Sequence, residues 1–117
     1  MSMTDRELLE LAAIASGEDV EWLKTEKAFF RRSCSWPQEK GWFNPLHNDG
    51  EALRLAIKLG ICIQFIPGCD TVQVYQERST TGEPFNIHVS ALGDIETRRV
   101  IVQAAAEIGK AMQVVKS

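Results

Sequence analysis

The sequence predicts an α+β domain, a three-stranded antiparallel sheet layered with three helices in an α/β/α sandwich-like arrangement, with residues 1–117 forming one domain. Three observations carry this expectation. Two segments with helical spacing are bounded by capping residues at both ends. Three consecutive runs between Ile61 and Val89 alternate apolar and polar residues. A long apolar stripe at period 3.6 closes the chain.

The first helix opens on Thr4 with Glu7 three residues later. In this capping box each side chain satisfies a backbone N–H that the helix leaves unpaired. Leu8, Leu11, Ala12 and Ala15 fall on one face and Gly17 ends the helix, which is expected over residues 5–16. A second helix is expected from Asp49, whose carboxylate is placed to cap the first turn, through Ala52, Leu53, Leu55 and Ala56 to Gly60.

Beyond it, Ile61, Ile63 and Phe65 alternate with Cys62 and Gln64, and Pro67 and Gly68 turn the chain. Val72 and Val74 continue the alternation in a second strand, giving a hairpin around 67–71. The polar stretch from Arg78 to Pro84 reads as a loop. Phe85, Ile87 and Val89 then alternate with Asn86, His88 and Ser90 as a third strand, with His88 on its polar side. Short connections favour an antiparallel meander, and its apolar surface calls for helical cover. The last helix starts near Gly93 or Asp94 and aligns Ile101, Ala104, Ala105, Ile108 and Met112, with fraying expected from Val114.

Residues 18–47 hold no sustained period, and Pro37, Gly41 and Pro45 interrupt them. Their aromatic content, Trp22, Phe29, Phe30, Trp36, Trp42 and Phe43, nevertheless requires packing against the body of the domain. Ordered, irregular structure is expected, with one short strand near 28–33.

The composition narrows function by exclusion. With 44% hydrophobic and 25% charged residues, the chain has a core-forming balance. A net charge of −3, with Glu18, Asp19, Glu21 and Glu26 interleaved among Lys24, Lys27, Arg31 and Arg32, speaks against a phosphate-binding face and therefore against nucleic acid. No apolar run approaches the ~20 residues of a membrane span, and the N-terminus has no signal-peptide pattern. The expectation is a cytoplasmic protein with no membrane partner. Cys34, Cys62 and Cys69 contain no CxxC pair and read as reduced thiols.

Signals for chemistry are sparse. His47, Asp49, His88 and the cysteines lack metal-ligand spacing, and no glycine phosphate loop, nucleophile elbow or HExxH motif occurs. No metal, cofactor or catalytic residue is therefore assigned. The notable constellation is Trp42, Phe43, Asn44, Pro45, Leu46 and His47 running into Asp49. Its aromatics serve either as a recognition patch or as packing that fixes the entry to the second helix. The acidic residues Glu18, Asp19 and Glu21 read as a solvated turn ahead of acid–base machinery, and the Glu18–Glu26 segment is an alternative contact surface to Trp42.

The stretch Gly41–Ala56, with Gly-Trp-Phe-Asn-Pro-Leu and Asp-Gly-Glu-Ala-Leu-Arg-Leu-Ala, resembles the phage ABA sandwich domain family of small bacteriophage and prophage proteins. Arg98–Gly109 looks like that family's closing helix, and Thr4–Ala12 matches its opening. The resemblance implies helices on an antiparallel sheet and a setting in the cytoplasm of an infected bacterium, but no catalytic residues. It supports an accessory protein that binds a host protein, such as a defence or regulatory factor that it would inhibit, with Trp42, Phe43, Asn44, His47, Glu18, Asp19 and Glu21 as candidate binding residues. Two alternatives stand beside it. One is a homo-oligomeric binder or sponge for a nucleotide or signalling metabolite, using Arg31, Arg32 or His88. The other is an enzyme without a recognisable motif, with Cys69 or His88 as its reactive group.

Overall fold

A computed structural model of the chain describes residues 3–33 and 41–116, with side chains through Gln113. Cys34, Trp36 and Pro37 lie outside the described residues.

The elements follow the order α1 (Asp5–Ser16), β1 (Val20–Leu23), β2 (Ala28–Arg31), β3 (Trp42–Phe43), α2 (Asp49–Leu59), β4 (Cys62–Ile66), β5 (Thr71–Glu77), β6 (Pro84–Ala91) and α3 (Asp94–Lys116). The strands make two antiparallel sheets, β1-β2-β3 and β4-β5-β6. The fold is thus α+β with three helices, as the patterning predicts. α3 continues through Lys116, past the point at which it is expected to fray.

The capping box is present: Glu7 N–H donates to Thr4 Oγ1 at 3.2 Å, and Thr4 N–H donates to Glu7 Oε1 at 3.2 Å. At α2 the cap is one residue earlier than expected. Asn48 Oδ1 accepts from Glu51 N–H at 2.9 Å, which leaves the Asp49 carboxylate free to reach Arg98 on α3. A neutral amide suits this position as well as a carboxylate does.

The first sheet is the largest departure from the sequence reading. The described residues of the 18–47 segment, 18–33 and 41–47, are not an irregular connection around one strand. They form a β1–β2 hairpin to which β3 adds. The hairpin turn places Lys27 at φ 53, a left-handed position normally signalled by Gly or Asn, so the turn is silent in the sequence. Trp22 packs edge-on to Phe29 and Trp42 edge-on to Phe30, with centroids 5.0 and 5.3 Å apart. Arg6 of α1 lies over the Trp22 ring at 4.5 Å.

One continuous core draws Phe29 and Phe43 from the first sheet and Val72 and Val74 from the second. Leu8, Ala12 and Leu55 join it from α1 and α2, and Val100, Ile101, Ala104 and Ala105 from α3. α3 is the shared wall, packing on α1, on α2 and on β5 and β6. Small residues set its distance from α1: Ala12, Ala105 and Ala106 are fully buried, and Gly109 meets the α1 backbone.

The second sheet is covered on the side of Val72 and Val74, both at 0% exposure. Strand alternation turns the neighbouring residues the other way, into three rows across β4, β5 and β6. Gln64, Gln73 and Val89 form the middle row. Cys62 and Tyr75, with Ile87 at the β6 bulge, flank it on one side, where exposed Glu77 continues the face at the end of β5, and Ile66, Thr71 and Ala91 flank it on the other. This face is open, with Ile87 51% and Val89 58% exposed. His88 therefore does not sit on the solvent side of its strand. Ile87 and Val89 of β6 face outward, and Asn86 and His88 face α3, as does Phe85 beyond the bulge. A bulge opposite Val74–Gln76, with Asn86 at φ 53, accompanies this reversal.

Candidate functional site

Three places gather side chains with functional potential. The first is centred on Arg31 at the end of β2, and it takes up part of the sequence-predicted set. Arg31 Nε pairs with Glu18 Oε2 at 3.0 Å, Nη2 with Glu51 Oε1 at 2.9 Å, and Nη1 donates to the Trp42 carbonyl at 2.8 Å. Its guanidinium lies 5.6 Å from the Phe43 ring centroid. Burial alone would lower the Arg31 pKa, but hydrogen bonds and attraction from Glu18 and Glu51 outweigh it and raise the value above the ordinary one. The arrangement ties the end of α1, β2, β3 and α2 together.

The remaining predicted residues are dispersed. Phe43 is in the core at 4% exposure, and Trp42 and Asn44 are half-buried. His47 is exposed in the turn closed by its own N–H to the Asn44 carbonyl at 3.2 Å. Asp19 pairs with Arg32 at the surface, and Glu21 is exposed on β1. Glu18 and Phe43 are thus engaged in holding the fold, while His47, Asp19 and Glu21 remain on the surface.

The second place is a groove of about 510 Å³ where α2, β4 and the first turns of α3 meet. Ala52, Ile63, Leu92 and Ile101 line its floor, and Leu53 and Phe65 line its walls. Leu53 is 53% and Phe65 55% exposed, a large apolar surface left uncovered. Ile95 on the first turn of α3 is 63% exposed. The rim is acidic, with Asp49 and Asp94 at the starts of the two helices. Arg98 is held at the base: Nε donates to the Leu46 carbonyl at 2.9 Å, and Nη1 meets Asp49 Oδ1 at 2.6 Å and Asp94 Oδ2 at 3.9 Å. Both carboxylates stay about four-fifths exposed, at 80% and 81%. Sequence reasoning missed this groove because its apolar residues come from three separate elements, each of which reads as core.

The third place is a broader groove of about 760 Å³ between α3 and the bulged ends of β5 and β6. Gln76, Phe85, Asn86, Glu107, Ile108 and Met112 line it. Asn86 Nδ2 donates to the Ala104 carbonyl at 2.9 Å and to Gln76 Oε1 at 3.2 Å, and His88 Nε2 lies 2.8 Å from Asn86 Oδ1. Gln76 Nε2 in turn donates to the Leu59 carbonyl at 3.1 Å. Burial lowers the His88 pKa, and Glu107 opposes the shift. A left-handed non-glycine residue is held here by its side-chain partners. Cys69 is exposed in the 3-10 turn before β5, and Cys62 is half-buried on β4.

Among the described residues, no group of three or more His, Cys, Asp or Glu is placed to hold a metal ion, and no helix is long and apolar enough to cross a membrane. Comparison with known proteins finds no matching family model, no matching curated protein and no matching solved structure.

Proposed function

We propose that this chain is a binding domain that captures a segment of a partner protein in the groove between α2, β4 and α3. The observation that carries the reading is the joint exposure of Leu53 and Phe65 around a cavity of about 510 Å³. A monomer gains nothing from leaving such residues uncovered, whereas an apolar side chain from a partner buries them at ~25 cal/mol per Å². The rim sets the partner's chemistry. Asp49 and Asp94, each at a helix start and largely exposed, favour Lys or Arg on either side of the apolar anchor. Arg98, fastened to Leu46 and Asp49, fixes the floor.

The proposed setting, an accessory protein of a bacteriophage acting on a host protein, rests on the resemblance of the Gly41–Ala56 and Arg98–Gly109 segments to small phage proteins. A second reading, binding of a small molecule, is favoured by the groove beside Asn86. There polar groups converge next to Phe85, Ile108 and Met112, the composition typical of ligand pockets.

The test is affinity capture from a bacterial lysate with the wild type and Leu53→Glu in parallel. The variant tolerates the charge because the position is half-exposed. The reading expects a stoichiometric partner with the wild type and its loss with the variant. Equal retention by both would overturn the groove assignment.

A further inference from the structure

Resting on the proposed capture of a partner segment in the groove beside Leu53, we propose that this segment is held in extended form, as an antiparallel strand added to the free edge of β4.

β4 lies at the edge of its sheet, paired with β5 alone. One bond fixes the direction of its backbone groups. The Leu92 N–H donates to the Asp70 carbonyl at 3.0 Å, just outside the Thr71–Ala91 pair. In an antiparallel ladder such a bond flanks a pair that exchanges none of its own, so Thr71, Gln73 and Tyr75 turn their N–H and C=O groups toward β4. Their partners Ile66, Gln64 and Cys62 are thereby engaged. Ile63 and Phe65 are left with two N–H and two C=O groups directed away from the sheet, and among the described residues no backbone hydrogen bond takes them up.

Sheet edges are ordinarily guarded by proline, charge, a bulge or shortness. β6, at the other edge, opens on Pro84 and bulges at Asn86. In the first sheet, β1 carries Glu21 and β3 is two residues long. β4, Cys-Ile-Gln-Phe-Ile, has no proline, no charge and an unbroken register with β5.

The side chains suit the same occupant. Residues directly opposite in an antiparallel pair point to one side of the sheet, so those opposite Ile63 and Phe65 enter the groove that these two line with Leu53. Leu53 is 53% exposed, and Ile57, one turn further along α2, is 71% exposed, an apolar strip left uncovered. Charge narrows the partner. Groove-facing residues recur at every second position of a strand, so an apolar residue with Lys or Arg two positions away on either side matches Leu53 and Phe65 beside Asp49 and Asp94. A second copy of β4 fits less well, because Ile61, Ile63, Phe65 and Pro67 at that spacing bring no cation to the acidic rim.

Amide hydrogen exchange of the ¹⁵N-labelled full chain, with and without the synthetic peptide Thr-Arg-Thr-Leu-Thr-Arg-Thr, tests the proposal. At saturation the Ile63 and Phe65 amides are expected to exchange at least about tenfold more slowly, while Gln64, already bonded to β5, changes little. A peptide N-methylated at leucine, whose N–H faces β4, is expected to bind about tenfold more weakly, and one N-methylated at an adjacent threonine, whose N–H faces away, to bind as the parent does. Chemical shifts at Ala52, Thr97 and Arg98 report occupancy of the groove separately. Those shifts without slowed exchange at Ile63 and Phe65, or with the two N-methylated peptides binding alike, would overturn the added strand and leave the groove reading standing. No binding, or shifts elsewhere, would overturn both. Slowed exchange that follows the concentration of the chain instead of the peptide would assign the edge to a second copy and overturn the proposal.

Discussion

The carbonyl oxygen of Leu11 lies 2.0 Å from where a β-carbon on Gly109 would stand. That distance is far inside van der Waals contact, and the atom it meets is backbone, which cannot swing aside. The α1–α3 crossing, the most extensive packing between elements, is therefore set by the missing side chain. Gly109→Ala must push the two helices apart. Although alanine favours a helix by up to ~1 kcal/mol over glycine, overpacking at a closed backbone contact costs about 1–3 kcal/mol or more. The expected outcome is net destabilisation of about 2 kcal/mol in chemical denaturation. An unchanged or raised midpoint would contradict the described crossing.

Arg31 and Arg32 are neighbours with opposite expectations. The Arg31 side chain is 16% exposed and engages Glu18, Glu51 and the Trp42 carbonyl. Arg32 is 54% exposed and pairs with Asp19, itself 73% exposed. Removing one member of a largely buried ion-pair network leaves the others uncompensated, whereas an exposed pair contributes ~0–1 kcal/mol. Arg31→Ala is expected to destabilise by about 3 kcal/mol and Arg32→Ala by less than about 0.5 kcal/mol. Arg31→Lys is expected to be intermediate, because a single ammonium cannot span three acceptors. Thermal denaturation of the three variants checks the order.

How much of this was legible in the sequence depended on whether the signal was local. Thr4 and Glu7 announce α1, and the alternation from Ile61 to Val74 announces β4 and β5, because cap chemistry and period are properties of neighbouring residues. The β1–β2 hairpin was not legible, since Lys27 takes a left-handed turn position without Gly or Asn to mark it. The faces of β6 were misjudged for a related reason. The bulge at Asn86 changes the strand's parity, and polarity alone cannot show that Asn86 and His88 find hydrogen-bond partners beneath α3. Of the candidate site, the segment from Trp42 to Asp49 drew attention through its aromatics, yet Phe43 fills the core. The exposed Leu53 and Phe65 emerge only once α2, β4 and α3 are placed together.

His88 makes stability depend on pH. Its burial under α3 holds the folded-state pKa below the ordinary 6.5, so the unfolded chain takes up the proton first. Above that value the ring is neutral in both states and nothing is lost. As pH falls through about 6.5 toward the lower folded-state value, the unfolded state gains protonation free energy and stability declines. Urea denaturation at intervals from pH 8 to pH 5 is expected to show this decline, and His88→Gln is expected to reduce it. A stability that rises on acidification through this range in the wild type, or a decline unchanged in the variant, would contradict the placement of His88.

The central claim, recognition of a partner segment in the groove beside Leu53 and Phe65, is tested most directly by amide chemical-shift mapping. The ¹⁵N-labelled chain would be titrated with a synthetic peptide carrying leucine flanked by arginines. The account predicts saturable shifts concentrated at Ala52, Ile63, Phe65, Thr97 and Arg98, the residues of the groove and its floor. Shifts centred instead on Gln76, Asn86 and Glu107, or no shift at any peptide concentration, would contradict it.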